Sequence, residues 1–343
     1  MKRTILISLL ITSATLSAKA ITWEEMQQYL KISGYLQMLY TCECADERSE
    51  GSSFRIRRAR LSFAGKIAEN KKVGIADYRL QVDFAESPKI VDAWVRYRPL
   101  SQLGLQVGQF KVPLSIENSE YAPLKLEFID YSLVVQRLVK MSSNDVTGIS
   151  STGRDCGAQL YGGFIKRKGF CLLNYNLAIF NGNGINAKKD NNSSKDLVGR
   201  LMICPLRELV VAGYYQYGKC VMGELKDVVC RRYGGGAAYN GRHAFARAEY
   251  IRGNTGTLLS EGAYASAGWK FSSTKAGSGS VGARFDYFDK DIRTSSREFN
   301  YTLGVAYQPW RYMRLQIDYT LKQYQHPNHS LAHSLAVMVS GIF

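Results

Sequence analysis

Beyond its first twenty residues, this 343-residue chain has nothing close to the eighteen consecutive apolar residues that a transmembrane helix needs, which excludes a helical membrane protein. Histidine is scarce: the 4 residues all fall late in the chain, which argues against a zinc centre. Runs of lysine and arginine are missing, as are aromatic nucleic-acid motifs, so nucleic acid is not an expected partner. Proline is limited to 7 residues. Gly234-Gly235-Gly236 has no following Lys-Ser/Thr or helix, so it is read as strand curvature and not as a phosphate-cradling loop. Asn328-His329-Ser330 and His333-Ser334 hold the residue types of a hydrolase, but neighbours on a regular strand point to opposite faces and cannot meet. Neither catalysis nor a cofactor is expected.

What is present begins with a targeting segment. Lys2 and Arg3 precede a mostly apolar stretch from Ile5 to Leu16, and Ala18-Lys19-Ala20 forms a small-residue cleavage site, so residues 1–20 read as a signal peptide. Its removal lowers the 45 basic residues to 42 against 29 acidic ones, a net charge of +13 on the mature chain. In a secreted chain that balance favours anionic solutes and the phosphates of outer-membrane lipid. Seven cysteines, an odd number, leave at least one free or paired between chains. Cys220 and Cys230 flank a short predicted loop, a spacing compatible with a disulfide.

From residue 21 onward the dominant pattern is alternation with period two. On one face of a strand at 54–66 lie Ala59, Leu61 and Phe63, and on the other Arg58, Arg60 and Ser62. The same separation sets Tyr78, Leu80, Val82 and Phe84 against Arg79, Gln81 and Asp83. It then sets Val91, Ala93, Val95 and Tyr97 against Asp92, Trp94, Arg96 and Arg98. Further strands are predicted at 31–41, 104–110, 155–165, 170–180, 196–204, 208–218, 230–239, 243–252, 260–271, 280–288, 298–308, 312–323 and 331–343, about sixteen in all. An even number suits an outer-membrane barrel. Pro99, Pro205 and Pro309 mark every second connection, and Asn240-Gly241 marks a tight turn in that set. The intervening connections hold a polar loop at Cys42–Ser52, KKDNNSSKD, the Cys220 loop and one interruption several times longer, from about 111 to 154. The fold class expected is all-β, a transmembrane antiparallel β-barrel of about sixteen strands over residues 21–343, whose long third extracellular loop folds inward. FIDYSLVVQRLV within that loop is read as a short helical turn. The chain ends on an alternating strand whose last residue is Phe343.

Several stretches carry a family resemblance: RRARLSFAGKI (57–67), VDAWVRYRP (91–99), LQVGQFKVPLSIENSEYAP (105–123), GRDCGAQLYG (153–162) and NYTLGVAYQP (300–309). With several shorter matches they run in order along nearly the whole mature chain. In these stretches the sequence resembles the phosphate-selective porin O and P family, in its Bacteroides-type branch. The resemblance implies a homotrimeric, sixteen-stranded outer-membrane channel whose third loop enters the lumen and whose Arg and Lys line an anion path for inorganic phosphate and other small anions.

On the predicted lumen face, the candidates for that path are Arg58, Arg60, Arg79, Arg96, Arg98 and Arg200, joined by Arg247, Arg284 and Arg314, with Lys322 near the outer mouth. Lys111 and Arg137 are candidates in the loop. Guanidinium and ammonium groups donate hydrogen bonds and accept none, so they replace part of an anion's hydration shell. Asp83, Asp92, Glu249, Asp286 and Asp318 fall on the same face, so each arginine has two readings: contact with a passing ion, or pairing within the wall. The expected function is a passive channel with an anion preference extending to phosphate. The alternatives are a general, weakly selective porin, a non-conducting structural barrel and a barrel enzyme.

Overall fold

A computed structural model describes residues 29–45, 48–70, 74–273, 276–294, 296–325 and 330–343. The signal segment, residues 1–20, and His329 lie outside them. The strands are β1 (Lys31–Ala45), β2 (Arg48–Asn70), β3 (Gly74–Asp83), β4 (Lys89–Leu100), β5 (Leu103–Lys111), β6 (Arg154–Arg167), β7 (Phe170–Phe180) and β8 (Asp196–Leu206). They continue as β9 (Leu209–Met222), β10 (Leu225–Asn240), β11 (Ala244–Thr255), β12 (Leu258–Ser273), β13 (Gly277–Asp289), β14 (Arg297–Trp310), β15 (Met313–Tyr324) and β16 (Ser330–Ile342). Among the described residues these sixteen strands form one closed antiparallel barrel, each pairing with its sequence neighbours and β1 with β16. Closure removes the free edges that an open sheet would expose. Phe343 exchanges two backbone hydrogen bonds with Gly34 (2.9 and 3.0 Å), so the last residue of the chain is knitted to the first strand.

Alternation explains the two faces. In β8, Leu197, Leu201 and Ile203 are exposed toward lipid while Asp196, Val198 and Arg200 are buried inward. At one end of the barrel every connection from β2–β3 to β14–β15 has two or three residues, the pattern of a periplasmic end. The opposite end carries the long connections, 112–153 and 181–195.

Four expectations change at this level. The predicted polar loop at Cys42–Ser52 is mostly strand, because β1 runs to Ala45 and β2 starts at Arg48. The Cys220 loop closes as a tight hairpin between Met222 and Leu225, so polar composition there marks the outer end of strands and not a loop. Pro99, Pro205 and Pro309 sit inside the last residues of β4, β8 and β14, each within a register shift. A residue with no N–H fits where the ladder skips a bond. Val91, placed on the lipid face by strict period two, is completely buried at a register shift between β3 and β4.

The main hydrophobic core belongs to the connection 112–153. It contains helix α1 (Ile116–Glu120), a 3₁₀ turn (Pro123–Lys125) and helix α2 (Leu133–Leu138). Leu114, Ile116, Leu126, Val134, Val135 and Leu138 are all nearly or fully buried, packed with the inward side chains Phe180, Val198, Tyr214, Ile251, Tyr264 and Phe288. The loop therefore lies inside the barrel, against the wall formed by β7–β13.

Candidate functional site

Wall side chains seat the loop by satisfying its backbone. The buried Glu249 carboxylate accepts from the backbone N–H of Ile116 (2.6 Å) and Glu117 (2.9 Å), from the Ser115 hydroxyl (3.1 Å), and from the Tyr214 and Tyr264 hydroxyls (both 2.9 Å). A carboxylate at the start of α1 thus takes up donors that a helix end leaves without partners. Asp286 accepts from Leu133 N–H at the start of α2 (2.8 Å), and Asp318 accepts from Ile129 N–H (2.7 Å). Arginines do the converse: Arg314 donates to the carbonyls of Leu124 and Leu126, and Arg284 to that of Asp130 (2.7 Å). Arg247 pairs with Glu127, and Lys140 of the loop donates to Asp196 (3.1 Å) and to the Gly182 carbonyl (2.6 Å). Burial alone would lower the Lys140 pKa, but the nearby Asp196 and Asp155 outweigh it and hold the ammonium charged. Gly234 and Gly236 face inward beneath this arrangement: a Cβ would fall 2.9 Å from the Tyr214 ring at the first and 2.5 Å from Glu249 Cγ at the second.

The loop leaves a passage on the side of β1–β6. A narrow cavity of about 90 Å³ lies between β2 and the loop, bounded by Arg57, Arg58, Asp130, Tyr131, Gln136 and Ser142. It abuts a cavity of about 440 Å³ at Arg60, Pro123 and Arg154, and this second cavity runs toward the short-turn end past Arg79, Lys111, Lys125 and Arg200. The lining residues of the two comprise eight cationic side chains against three carboxylates, Asp92, Glu120 and Asp130.

Pairing within this group is uneven. Arg60 is buried against Asp83 (2.8 Å), and Arg154 against Asp92 (2.7 Å), with Arg79 at 3.6 Å from the same carboxylate. Arg57 pairs with Asp130 of the loop. Burial would raise the Asp130 carboxyl, but Arg57, Arg58 and Arg284 outweigh it and hold it at about 2. Arg58 donates to the Gln37 amide oxygen (2.8 Å), and no carboxylate lies within ion-pair distance of it among the described residues. Lys111 likewise donates to the backbone carbonyls of Asn118 and Tyr121, the latter at 2.7 Å.

The structure brings Arg58, Arg60, Arg79, Lys111 and Arg200 of the candidate set to one passage, Arg200 donating to Glu120 (2.7 Å) and Asn176. It does not bring the others there. Arg96 is clamped on Asp77 (2.9 Å) beside the Trp94 ring, and Arg98 is exposed near the short-turn end; neither lines these cavities. Arg137 points to the far wall and pairs with Glu298 (2.8 Å). Arg247, Arg284 and Arg314 hold the loop, and Lys322 pairs with Glu43. Glu249 and Asp318, read as partners for wall arginines, serve the loop backbone. His333 faces lipid against the Tyr319 hydroxyl (2.6 Å) whereas Ser334 faces Glu43, so this pair is separated as the alternation requires.

Sequence reasoning missed Arg57. The β1–β2 register shifts between Gln37↔Arg58 and Met38↔Ile56, and that extra residue lets Arg57 and Arg58, consecutive in sequence, both face inward. The available signal was Arg57 and Arg58 side by side, with Arg60 two residues on.

The family described as phosphate-selective porin O and P matches residues 36–218, more than half of the chain. The barrel is similar to the anion-selective porin from Comamonas acidovorans, with a TM-score of 0.69 and 13% identity over 92% of this chain and 99% of that one. It is similar to the outer-membrane channel DcaP of Acinetobacter baumannii, with a TM-score of 0.63 and 12% identity over 92% and 97%. OmpT of Vibrio cholerae, in its trimer form, aligns with a TM-score of 0.65 and 9% identity over 92% and 100%. At these identities the likeness concerns the fold. No curated protein matches the sequence.

Proposed function

The chain belongs to the phosphate-selective porin O and P family, and from that membership we propose that this outer-membrane channel prefers anions, inorganic phosphate among them, through the lumenal cations gathered around Arg58. The observation that carries the reading is the excess of eight cations over three carboxylates along the two abutting cavities beside the loop. Such an excess raises the local concentration of anions and lowers that of cations along the passage beside the loop. Passage is passive diffusion, and no bond is made or broken. Arg58, whose acceptor is the neutral Gln37 amide, carries the uncompensated charge.

A second reading, a general and weakly selective porin, is favoured by the pairing of Arg60, Arg79 and Arg154 with Asp83 and Asp92. Zero-current potentials of the purified protein in a planar bilayer across a KCl gradient, followed by phosphate titration, separate the two. An anion-selective potential with block by phosphate at low concentration supports phosphate selectivity. A weak potential without block supports the general porin, and no conductance from folded protein refutes both. We also propose a homotrimer, supported by OmpT of Vibrio cholerae being described in a trimer form; native gel electrophoresis of unboiled protein tests it.

A further inference from the structure

The lipid-facing wall carries cations that the lumen does not use. In β9–β11 the outward residues are those at odd positions of β9 and β10 and at even positions of β11, since Gln216, Cys220, Arg232 and Ile251 are buried inward. This places Lys219, Arg231 and Arg252 on the outer surface, toward the end that carries the long loops. Arg231 sits directly across from Tyr217, its guanidinium 5.4 Å from the ring centre, and Arg252 sits directly across from the exposed Tyr233. Arg252 has a distant carboxylate, Glu261, at 3.9 Å. Lys219 and Arg231 have none within ion-pair distance among the described residues. The outward Tyr239 marks the short-turn end of β10, and Arg231 lies eight residues away along the tilted strand, a rise of about 20 Å, so these cations stand near the outer edge of the apolar band.

Next to them lies an apolar groove on the same lipid face. It occupies about 590 Å³ and is bounded by Tyr175, Leu177, Leu201 and Tyr215, with Gly199 and Gly213 as its floor. A Cβ at either glycine would have its nearest neighbour 3.9–4.0 Å away, so the space above the backbone is open. Tyr215 lines the groove and is also the cross-strand neighbour of Tyr233, which makes the groove continuous with the cationic cluster.

We propose that Lys219, Arg231 and Arg252 with this groove form a binding site for a phosphorylated glycolipid of the outer leaflet, the cations taking its phosphate and the groove one acyl chain. The chemistry is that of a single amphiphile: a fixed anion at headgroup level directly joined to a chain that needs an apolar slot. An arginine held over an aromatic ring makes that contact without using its N–H donors, which stay free for a phosphate. A free anion would have no use for the groove, and a lipid without phosphate would have no use for the cations.

The test is binding of the full-length mature protein, folded in detergent, to bisphosphorylated lipid A and to the same lipid stripped of its phosphates, read by native mass spectrometry. Lys219→Gln with Arg231→Gln is expected to weaken the bisphosphorylated lipid about twenty-five-fold, from about a fivefold effect per cation, and to leave the stripped lipid unchanged. Gly213→Leu is expected to weaken both. Channel conductance should stay at the parent value in all of these, and the charge-preserving pair Lys219→Arg with Arg231→Lys should keep the lipid, which separates loss of charge from misfolding. Equal binding of the two lipids by the parent protein overturns the proposal. So does displacement of the lipid by millimolar inorganic phosphate, which would make this a plain anion site. Dissociation of an oligomer in the double glutamine variant also overturns it, because the face would then be an interface between copies.

Discussion

Replacing Arg58 with Gln removes one cation from the narrow cavity between β2 and the loop and leaves no buried carboxylate behind, since its acceptor is the neutral Gln37 amide. For an ion passing about 5–10 Å away through water, the lost charge is worth about 0.4–0.8 kcal/mol at a dielectric constant near 80. Anions lose that much stabilisation and cations gain as much, so the anion-to-cation permeability ratio should fall about fourfold to fifteenfold. The assay is the reversal potential of single channels across a KCl gradient centred near 0.1 M, where the screening length is about 10 Å; at 1 M, with about 3 Å, most of the difference should vanish. A control conserves charge: Arg60→Gln together with Asp83→Asn removes a buried pair whose groups lie 2.8 Å apart and should change the ratio by less than about twofold. An unchanged reversal potential in Arg58→Gln at low salt would remove that residue from the ion path. An equal drop in the charge-conserving pair would show that shape, not charge, sets the selectivity.

Glu249→Gln takes the negative charge from five donors that converge at the start of α1, and each hydrogen bond to such a carboxylate is worth about 1.5–3 kcal/mol. Limited proteolysis should then cut between 112 and 153 in the variant and not in the parent, with larger and noisier single-channel currents. Asp130, whose carboxyl is held at about 2 by Arg57, Arg58 and Arg284 against the effect of burial, stays ionised well below the ordinary carboxylate range. Its contribution to seating the loop is therefore complete above the ordinary value of 3.8 and is lost as the pH falls through about 2. Asp130→Asn should abolish that step in channel noise recorded from pH 5 to pH 2. Cys220 and Cys230 are both buried with their sulfurs 3.0 Å apart, so maleimide should label exposed Cys44 before either. Mild oxidant should then cross-link the pair, read as a loss of two alkylation sites by mass spectrometry. Leu138→Ala opens a hole among Val134, Val135 and the wall and should cost about 2–5 kcal/mol in the urea unfolding of the folded barrel.

Strand order and face were legible because period two leaves a signal in every segment, and β7 begins and ends where the alternation of Phe170–Phe180 does. The hairpin tips at Cys42–Ser52 and Cys220–Cys230 misled because strands that rise above the membrane need no apolar face, so their sequence looks like loop. Bulges were invisible: nothing local in Arg55-Ile56-Arg57-Arg58 says which residue is the extra one, and the partner Gln37 lies on another strand. Within the candidate site, the residue types were readable but their division of labour was not. Arg58 and Arg284 both alternate inward; Arg284 has the Asp286 carboxylate two residues along its own strand and a loop carbonyl, whereas Arg58 has a neutral amide, and the loop contact depends on where 112–153 settles.

The seating of that loop has a consequence for how the channel is built. Its grips are spread along the chain, from Arg57 on β2 to Glu249, Asp286 and Asp318 on β11, β13 and β15. Strands made late in synthesis therefore supply partners for a segment made early, and because Ile129 of the loop packs with Leu39 on β1 and Met338 on β16, the loop is fully locked only after the sheet has rolled up and β16 has met β1. The narrowing of the lumen by this loop is thus the last feature the molecule acquires during assembly, and a barrel caught one strand short of closure would be a wider hole than the finished one.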